Sequence, residues 1–381
     1  MNTHLYIIGN GFDRYHGAAS RYLDFHNYLF ARNPEIVGAF DLYFGPRSID
    51  RSFDFDLGGF WCVQPKSERN KYHLPYPTTT WAKDHLWADF EYYLGDMNRE
   101  KVFEDLDQHY PKNLRHARSF TLLNYIHPIQ SLSSRINECT FQMKYHFHRW
   151  VNKLHYAKGW KKRMLDLGKD ALYLNFNYTT FLEDEYSIPA DRICYIHGNR
   201  HDKFGSLVLG HRADIAQEFE RWKHLRQNRK HYRPNLKDEK GRYYANDNMV
   251  YLAYFLESEE KGNWHNVFRY NAVMEAKEIL ERYYDANMKD TSRIIEQHLP
   301  FFQSLKEIKR ITVLGHSLSS VDMPYFKTIK DQLSSDANWE FSVYDKRDEE
   351  MVEHFCKVMK INRDHCHTFN IAALIRSTSS E

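Results

Sequence analysis

Long apolar runs, cysteine and net charge are all scarce in this 381-residue chain. No apolar run approaches the roughly 20 residues that a bilayer-crossing helix needs, so no membrane span is expected. Met1-Asn2-Thr3-His4 leads into only four apolar residues, without the basic region and longer apolar stretch of a secretory signal. The five cysteines (Cys62, Cys139, Cys194, Cys356, Cys366) are odd in number and scattered. A disulfide framework is not expected from them in a chain of this size, and the expected setting is the reducing cytoplasm. Lys plus Arg is 53 against 51 for Asp plus Glu. A net charge of +2 provides no global field to draw the chain onto nucleic acid or an anionic membrane. Any such partner must be held by a local patch. Internal repeats and low-complexity tracts are absent as well. What is present is core material: 42% hydrophobic and 16% aromatic residues exclude a disordered chain.

The run Leu5-Tyr6-Ile7-Ile8 is apolar at every position and stops at Gly9-Asn10-Gly11, which predicts a strand buried on both faces. Further short apolar segments with the same punctuation are Ala171 to Phe176, Ile193 to Ile196, Ile311 to Leu314 and Phe341 to Tyr344. Helical spacing predicts a helix from Ser20 to Arg32 (Tyr22, Phe25, Tyr28, Leu29) and another from Trp81 to Leu94. Helical patterns also fill 97–168 and most of 213–305. Residues 41–80, rich in Gly and Pro without periodicity, read as a long loop of the kind often used as a lid. The expected fold is α/β, a Rossmann-like parallel sheet wound by helices. Length permits one enlarged domain. Its strand-bearing core would cover about 1–35, 165–212 and 306–381, with large helical and loop insertions over about 36–164 and 213–305.

Ligands of open α/β sheets bind beyond the carboxyl ends of the strands. Those ends carry Gly9-Asn10-Gly11-Phe12-Asp13 with His16-Gly17, then Asn177-Tyr178-Thr179, His197-Gly198-Asn199, and Gly315-His316-Ser317-Leu318. Glycine beside small polar residues or histidine, repeated at four strand ends, suits a phosphate-bearing ligand. Each piece also has a plainer reading: a glycine as punctuation, His197 as a core histidine, Asn177 as a turn residue bonding its own backbone.

The opening motif, with Leu86-Trp87-Ala88-Asp89-Phe90-Glu91, Asn175-Phe176-Asn177-Tyr178-Thr179, Ile196-His197-Gly198, Leu209-Gly210-His211, Gly315-His316-Ser317-Leu318 and Val321-Asp322-Met323-Pro324-Tyr325-Phe326, resembles the abortive-infection AbiH family of bacterial anti-phage proteins. The order glycine turn, Asn-Tyr, His-Gly, Gly-x-Ser is also similar to sirtuin-like NAD-binding domains, including those that hydrolyse NAD in phage defence. That resemblance implies catalytic roles for Asn177 and His197. It implies that the first glycine turn (Gly9, Asn10, Gly11, Phe12, Asp13) faces the cofactor phosphates. Gly198 and the strand-end Gly315 are expected to let backbone approach the ligand, and Ser317 to donate to a phosphate. By analogy with acidic residues in other nucleotide folds, Asp345 would bond an adenosine ribose. His16, Glu91 and Asp322 are expected in supporting roles. The sequence departs from that pattern at Asn10 between the glycines, at Thr179 where those domains carry Asp, and in lacking a four-cysteine zinc module.

The resulting expectation is an anti-phage protein that binds NAD or a related nucleotide, without metal, and hydrolyses it to nicotinamide and ADP-ribose. Unregulated activity would be toxic, so a phage trigger, a partner protein or assembly into a homo-oligomer is expected. Two alternatives stay open. One is a nucleotide sensor without catalysis. The other is a nucleic-acid-binding module built on 222–244, where Lys223, Arg226, Arg229, Lys230, Arg233, Lys237, Lys240 and Arg242 interleave with Trp222, Tyr232, Tyr243 and Tyr244. At the C-terminal end, His354, Cys356, His365, Cys366 and His367 match no zinc-module spacing.

Overall fold

The structure, a computed structural model, describes residues 3–44, 122–212, 264–319 and 321–376, with 90–95 and single residues 97, 102, 106 and 109. Among these, no helix is long and apolar enough to cross a membrane. The chain divides into two compact units: Met1–Tyr28 with Lys144–Leu209 and Lys289–Glu381, and Leu29–Met143 with Gly210–Met288. The second takes most of both expected insertions. Residues 144–164 and 289–305, expected among the insertions, belong instead to the unit that carries the sheet.

That unit is built on a six-stranded sheet. Its strands are β1 (His4–Ile8), β2 (Leu172–Asn175), β3 (Ile193–Tyr195), β4 (Arg310–Leu314), β5 (Asn338–Val343) and β6 (Cys366–Asn370). Their order is β3-β2-β1-β4-β5-β6 and every pairing is parallel. This is the doubly wound Rossmann-like order, in which the winding reverses between β1 and β4. The central register sets Leu5 beside Leu172 and Ile311, and Ile8 beside Asn175 and Leu314. Leu5 to Ile8 are at most 5% exposed. A strand apolar on both faces is stable only with both faces covered, and each such buried side chain contributes roughly 1.5–3 kcal/mol.

β6 has no counterpart among the predicted strands. Cys366-His367-Thr368-Phe369-Asn370 holds no apolar run, and three of its five residues are exposed. An edge strand pairs on one side only and does not need two apolar faces, so its sequence carries little signal.

The helices of this unit that bear on the argument are α1 (Asn10–Tyr15), α2 (Tyr22–Phe30), α3 (Met143–Val151), α4 (Met323–Gln332) and α5 (Lys346–Met359). On α3, Phe147 and Trp150 are buried. The Phe147 ring lies 5.2 Å from that of Phe25 and 5.0 Å from that of Tyr178. Phe147 and Trp150, at helical spacing, are therefore part of a core wall.

In the second unit, Pro34–Phe44 is helical, so residues 41–44 of the expected loop belong to a helix. Phe40 stacks on Phe44 at 4.6 Å, Phe44 meets Tyr283 at 5.2 Å, and the Tyr283 hydroxyl donates to the Leu94 carbonyl at 2.9 Å. Of the expected helix over 81–94, Phe90–Leu94 is described and helical. The remainder of the 41–80 loop, and 213–263 with the basic aromatic segment 222–244, lie outside the described residues.

Candidate functional site

The winding reversal brings the glycine turn after β1 against the turn after β4. The Gly9 amide donates to the Leu314 carbonyl at 2.9 Å, and the Gly11 amide to the Gly315 carbonyl at 2.7 Å. A Cβ on Gly11 would lie 2.6 Å from the Gly315 Cα, and one on Gly315 would lie 2.3 Å from the Phe12 nitrogen. Gly315 is also left-handed, with φ 62°. These glycines therefore let two backbone turns touch each other. Gly315→Ala combines a left-handed alanine, costing roughly 1–2 kcal/mol, with a backbone clash. It is expected to lower unfolding stability by at least about 2 kcal/mol in urea denaturation. A change below about 0.5 kcal/mol, the usual range for harmless surface substitutions, would contradict the packed-turn account.

Two buried polar clusters flank these turns. In the first, Asp13 of α1 accepts from the Thr179 hydroxyl at 2.7 Å. The Asn177 side chain bonds Asp13 as well and donates to the Gly9 carbonyl at 3.0 Å. The Asn177 backbone N–H in turn donates to Asn175 Oδ1 at 3.0 Å. Burial pushes the Asp13 carboxyl up to about 7, against the Thr179 and Asn177 hydrogen bonds and the charge of Arg200. Thr179, the departure from the sirtuin-like pattern, thus meets a carboxyl supplied from α1.

Because the folded-state value of Asp13 is raised above the ordinary 3.8, the protonated carboxyl favours the fold. Its contribution is complete below pH 3.8 and is lost as pH rises to about 7. Unfolding free energy should therefore fall across that window by an amount on the order of 4 kcal/mol from this group. Asp13→Asn should flatten that part of the profile. An unchanged slope in Asp13→Asn would remove Asp13 as its source.

The second cluster gathers around Asp322, the N-cap residue of α4, whose carboxylate makes no capping bond. Lys289 Nζ lies 2.9 Å from Asp322 Oδ1, His197 Nε2 3.9 Å from the same oxygen, and His316 Nε2 3.6 Å from Oδ2. His197 follows β3 and His316 follows β4, strands separated by three spacings or roughly 14 Å, yet both rings reach one carboxylate. The Phe176 ring stands edge-on to each, at 5.3 and 4.4 Å.

The ionisation states follow from burial and charge. Burial drives His197 well below the usual histidine range, and the Lys289 ammonium adds to this. Burial likewise brings His316 down to about 4. Both rings are neutral near pH 7. Burial works to raise Asp322, but Lys289 and the two imidazoles outweigh it and hold the carboxyl below its ordinary value. His316 Nδ1 accepts from the Leu318 amide at 2.9 Å, which places the His316 proton on Nε2, toward Asp322. His197 bonds the Phe176 backbone, whereas its Nε2 is buried without a hydrogen-bond partner. The backbone bond must therefore come from Nδ1, and Nε2 presents a free lone pair beside Asp322. A neutral imidazole with an uncommitted nitrogen next to a carboxylate is equipped to accept a proton.

A family model of bacteriophage abortive infection AbiH matches residues 5–343. The chain belongs to the AbiH family. No curated protein and no solved structure matches it. Membership in AbiH carries a role in abortive infection by bacteriophage.

Within this AbiH chain, the expected site residues meet different fates. Asn177 and His197 lie at the carboxyl ends of neighbouring strands and are 6% and 3% exposed, so both are closed off from solvent. Ser317, directly after His316, is exposed. Asn10 is tied to the Ser20 carbonyl at 2.9 Å, and Phe12 is buried against His16 and Tyr186. At Gly198, left-handed with φ 78°, the space a Cβ would take is filled by Asp202 Oδ2 at 2.9 Å. His16 is a core histidine: Nδ1 bonds the Phe12 carbonyl at 2.8 Å, Nε2 bonds the Tyr186 hydroxyl at 2.5 Å, and burial brings it down to about 4. Asp345 caps α5, accepting from the Arg347 and Asp348 amides at 2.9 and 3.1 Å. Glu91 belongs to the second unit. Asp322 is drawn in as the centre of the buried cluster.

Sequence reasoning missed Lys289 and the specific part played by His316. His316 stands in the Gly315-His316-Ser317 motif and was legible there. Lys289 precedes the Asp290 cap of the helix Thr291–Gln297, and nothing in its spacing marks it. Among the described residues no group of histidine, cysteine and carboxylate side chains is arranged to hold a metal ion.

Proposed function

We propose that this AbiH protein binds NAD or a related nucleotide at the carboxyl edge of the sheet and hydrolyses it to nicotinamide and ADP-ribose. The observation that carries the reading is the free Nε2 lone pair of neutral His197, held 3.9 Å from Asp322 at the strand ends. The reversal of winding between β1 and β4 supports it, because dinucleotides bind across that crevice in doubly wound sheets. In the reaction the bond between the nicotinamide nitrogen and ribose C1′ breaks, and its electron pair neutralises the departing ring. Water adds at C1′ and its proton passes to His197 Nε2. Asp322 stabilises the imidazolium so formed, and Lys289 and His316 hold that carboxylate in place. Asn177, fixed by Gly9 and Asp13, positions the ribose hydroxyls or the water, and exposed Ser317 donates to a phosphate.

The burial of Asn177 and His197 fits a resting enzyme whose site opens only on infection, through a phage trigger or partner. Closing the site also strengthens its internal electrostatics. Incubating the purified protein with a panel of nucleotides and separating the products by chromatography tests the reading. Nicotinamide and ADP-ribose in equal amounts from NAD support it. NAD that binds but stays intact, with extract of phage-infected cells added, would reduce the protein to a nucleotide sensor. Absence of binding would remove the nucleotide altogether.

A further inference from the structure

The last helix and the last strand bring two thiols together. Cys356 lies on α5 and is buried; Cys366 opens β6 and is half-buried. Their sulfurs are 2.6 Å apart. The intervening chain is held in a defined path. Lys360 turns left-handed with φ 53°, and the Ile361 amide donates to the Cys356 carbonyl at 3.0 Å. Arg363 pairs with Glu353 at 2.9 Å, and His365 Nδ1 bonds Asn338 Oδ1 at 2.9 Å. The sulfurs therefore meet as a consequence of the fold. Cys194, by contrast, is buried with its sulfur 3.3 Å from His298 Nδ1, and Cys139 is buried in the second unit.

We propose that Cys356 and Cys366 are a dithiol that a hydroperoxide oxidises to a reversible disulfide. Cys366, the more accessible sulfur, attacks the peroxide. The O–O bond breaks, Cys366 becomes a sulfenic acid, and the departing oxygen leaves as water or an alcohol with the thiol proton. Cys356 then attacks the sulfenic sulfur, and the sulfenic hydroxyl leaves as water with the Cys356 thiol proton as the S–S bond forms. The peroxide is reduced by two electrons and the two thiols are oxidised by two. The division of labour follows accessibility: Cys366 is half-buried at the start of the edge strand, whereas Cys356 is buried on α5. Nucleophilic attack requires the thiolate. The cross-link would staple the C-terminal turn of α5 to the edge strand, in a place separate from the proposed nucleotide site.

The test uses the full chain. Folded protein is treated with hydrogen peroxide, denatured in excess alkylating reagent and weighed by mass spectrometry, then digested. Two of the five thiols should escape alkylation, with the Cys356 and Cys366 peptides joined, and dithiothreitol should restore both. Cys356→Ser and Cys366→Ser should each abolish the joined peptide, and agreement between them guards against one variant folding poorly. Alkylation of all five thiols, a cross-link between other cysteines, or Cys366 driven to sulfinic acid while Cys356 stays a thiol would each overturn the proposal.

Discussion

On the proposed NAD hydrolysis, replacing His197 with alanine is expected to lower the cleavage rate by roughly 10²–10⁴-fold, the usual worth of a positioned acid or base. The argument is geometric before it is electrostatic. The backbone bond to Phe176 fixes the ring, leaving Nε2 as the one unpartnered nitrogen beside Asp322. NAD affinity should change little, because the imidazole is asked to act on the water and not on the bound nucleotide. The pH profile is diagnostic. An ordinary histidine base fails as pH drops through 6.5, whereas burial keeps His197 neutral well below that value. With the nucleotide filling the opened site and keeping water from the ring, the wild-type rate should stay level through the ordinary histidine range and fall only in more acidic buffer. A folded His197→Ala variant that cleaves NAD at the wild-type rate would end the catalytic assignment, and a rate that halves at pH 6.5 would contradict the buried neutral base.

The second large effect is on stability. Lys289 and Asp322 are a buried ion pair, with the lysine side chain 0% and the aspartate side chain 11% exposed. Lys289→Met removes the cation and leaves a buried carboxylate with two neutral imidazoles as its partners. Breaking such a pair from one side costs roughly 3–5 kcal/mol. In the wild type Asp322 is held below 3.8, so its contribution is present above that pH and is lost as pH falls through the folded value. Without Lys289 the carboxyl rises instead. The gap between wild type and Lys289→Met should then be widest near neutrality and shrink below pH 4. The double variant Lys289→Met/Asp322→Asn should recover part of the loss, giving a coupling energy of about 1–3 kcal/mol in a double-mutant cycle. A single variant within about 1 kcal/mol of wild type in urea denaturation at pH 7 would show that the pair is not coupled as the distances imply.

The parallel sheet was legible because buried parallel strands must be apolar at every position. Leu5 to Ile8 say so, as do Ile311, Val313 and Leu314 around the buried Thr312, and the glycines that stop both runs. β6 was not, because one exposed edge frees Cys366 to Asn370 from that demand. Asn177 and His197 were legible as polar residues directly after apolar runs. Their surroundings were not. That the glycines at 11 and 315 pack against each other, and that Thr179 bonds Asp13, depends on contacts between residues more than 160 positions apart. Lys289 illustrates the same limit: a lysine before a helix cap reads as surface charge until the fold places it on Asp322. Asp345 and His16 carry the right chemistry in the right neighbourhood, yet a helix cap and a pair of core hydrogen bonds already engage them.

The central claim is that a nucleotide reaches the buried imidazole at the end of β3. Titrating the protein with a carbocyclic NAD analogue that cannot be cleaved, while following the histidine ring signals by NMR, tests it most directly. His197→Ala and His316→Ala identify the two resonances. The account predicts saturable shifts of both rings, with the His197 signal moving most. Ring signals of His197 and His316 that stay fixed while the analogue binds elsewhere would contradict it.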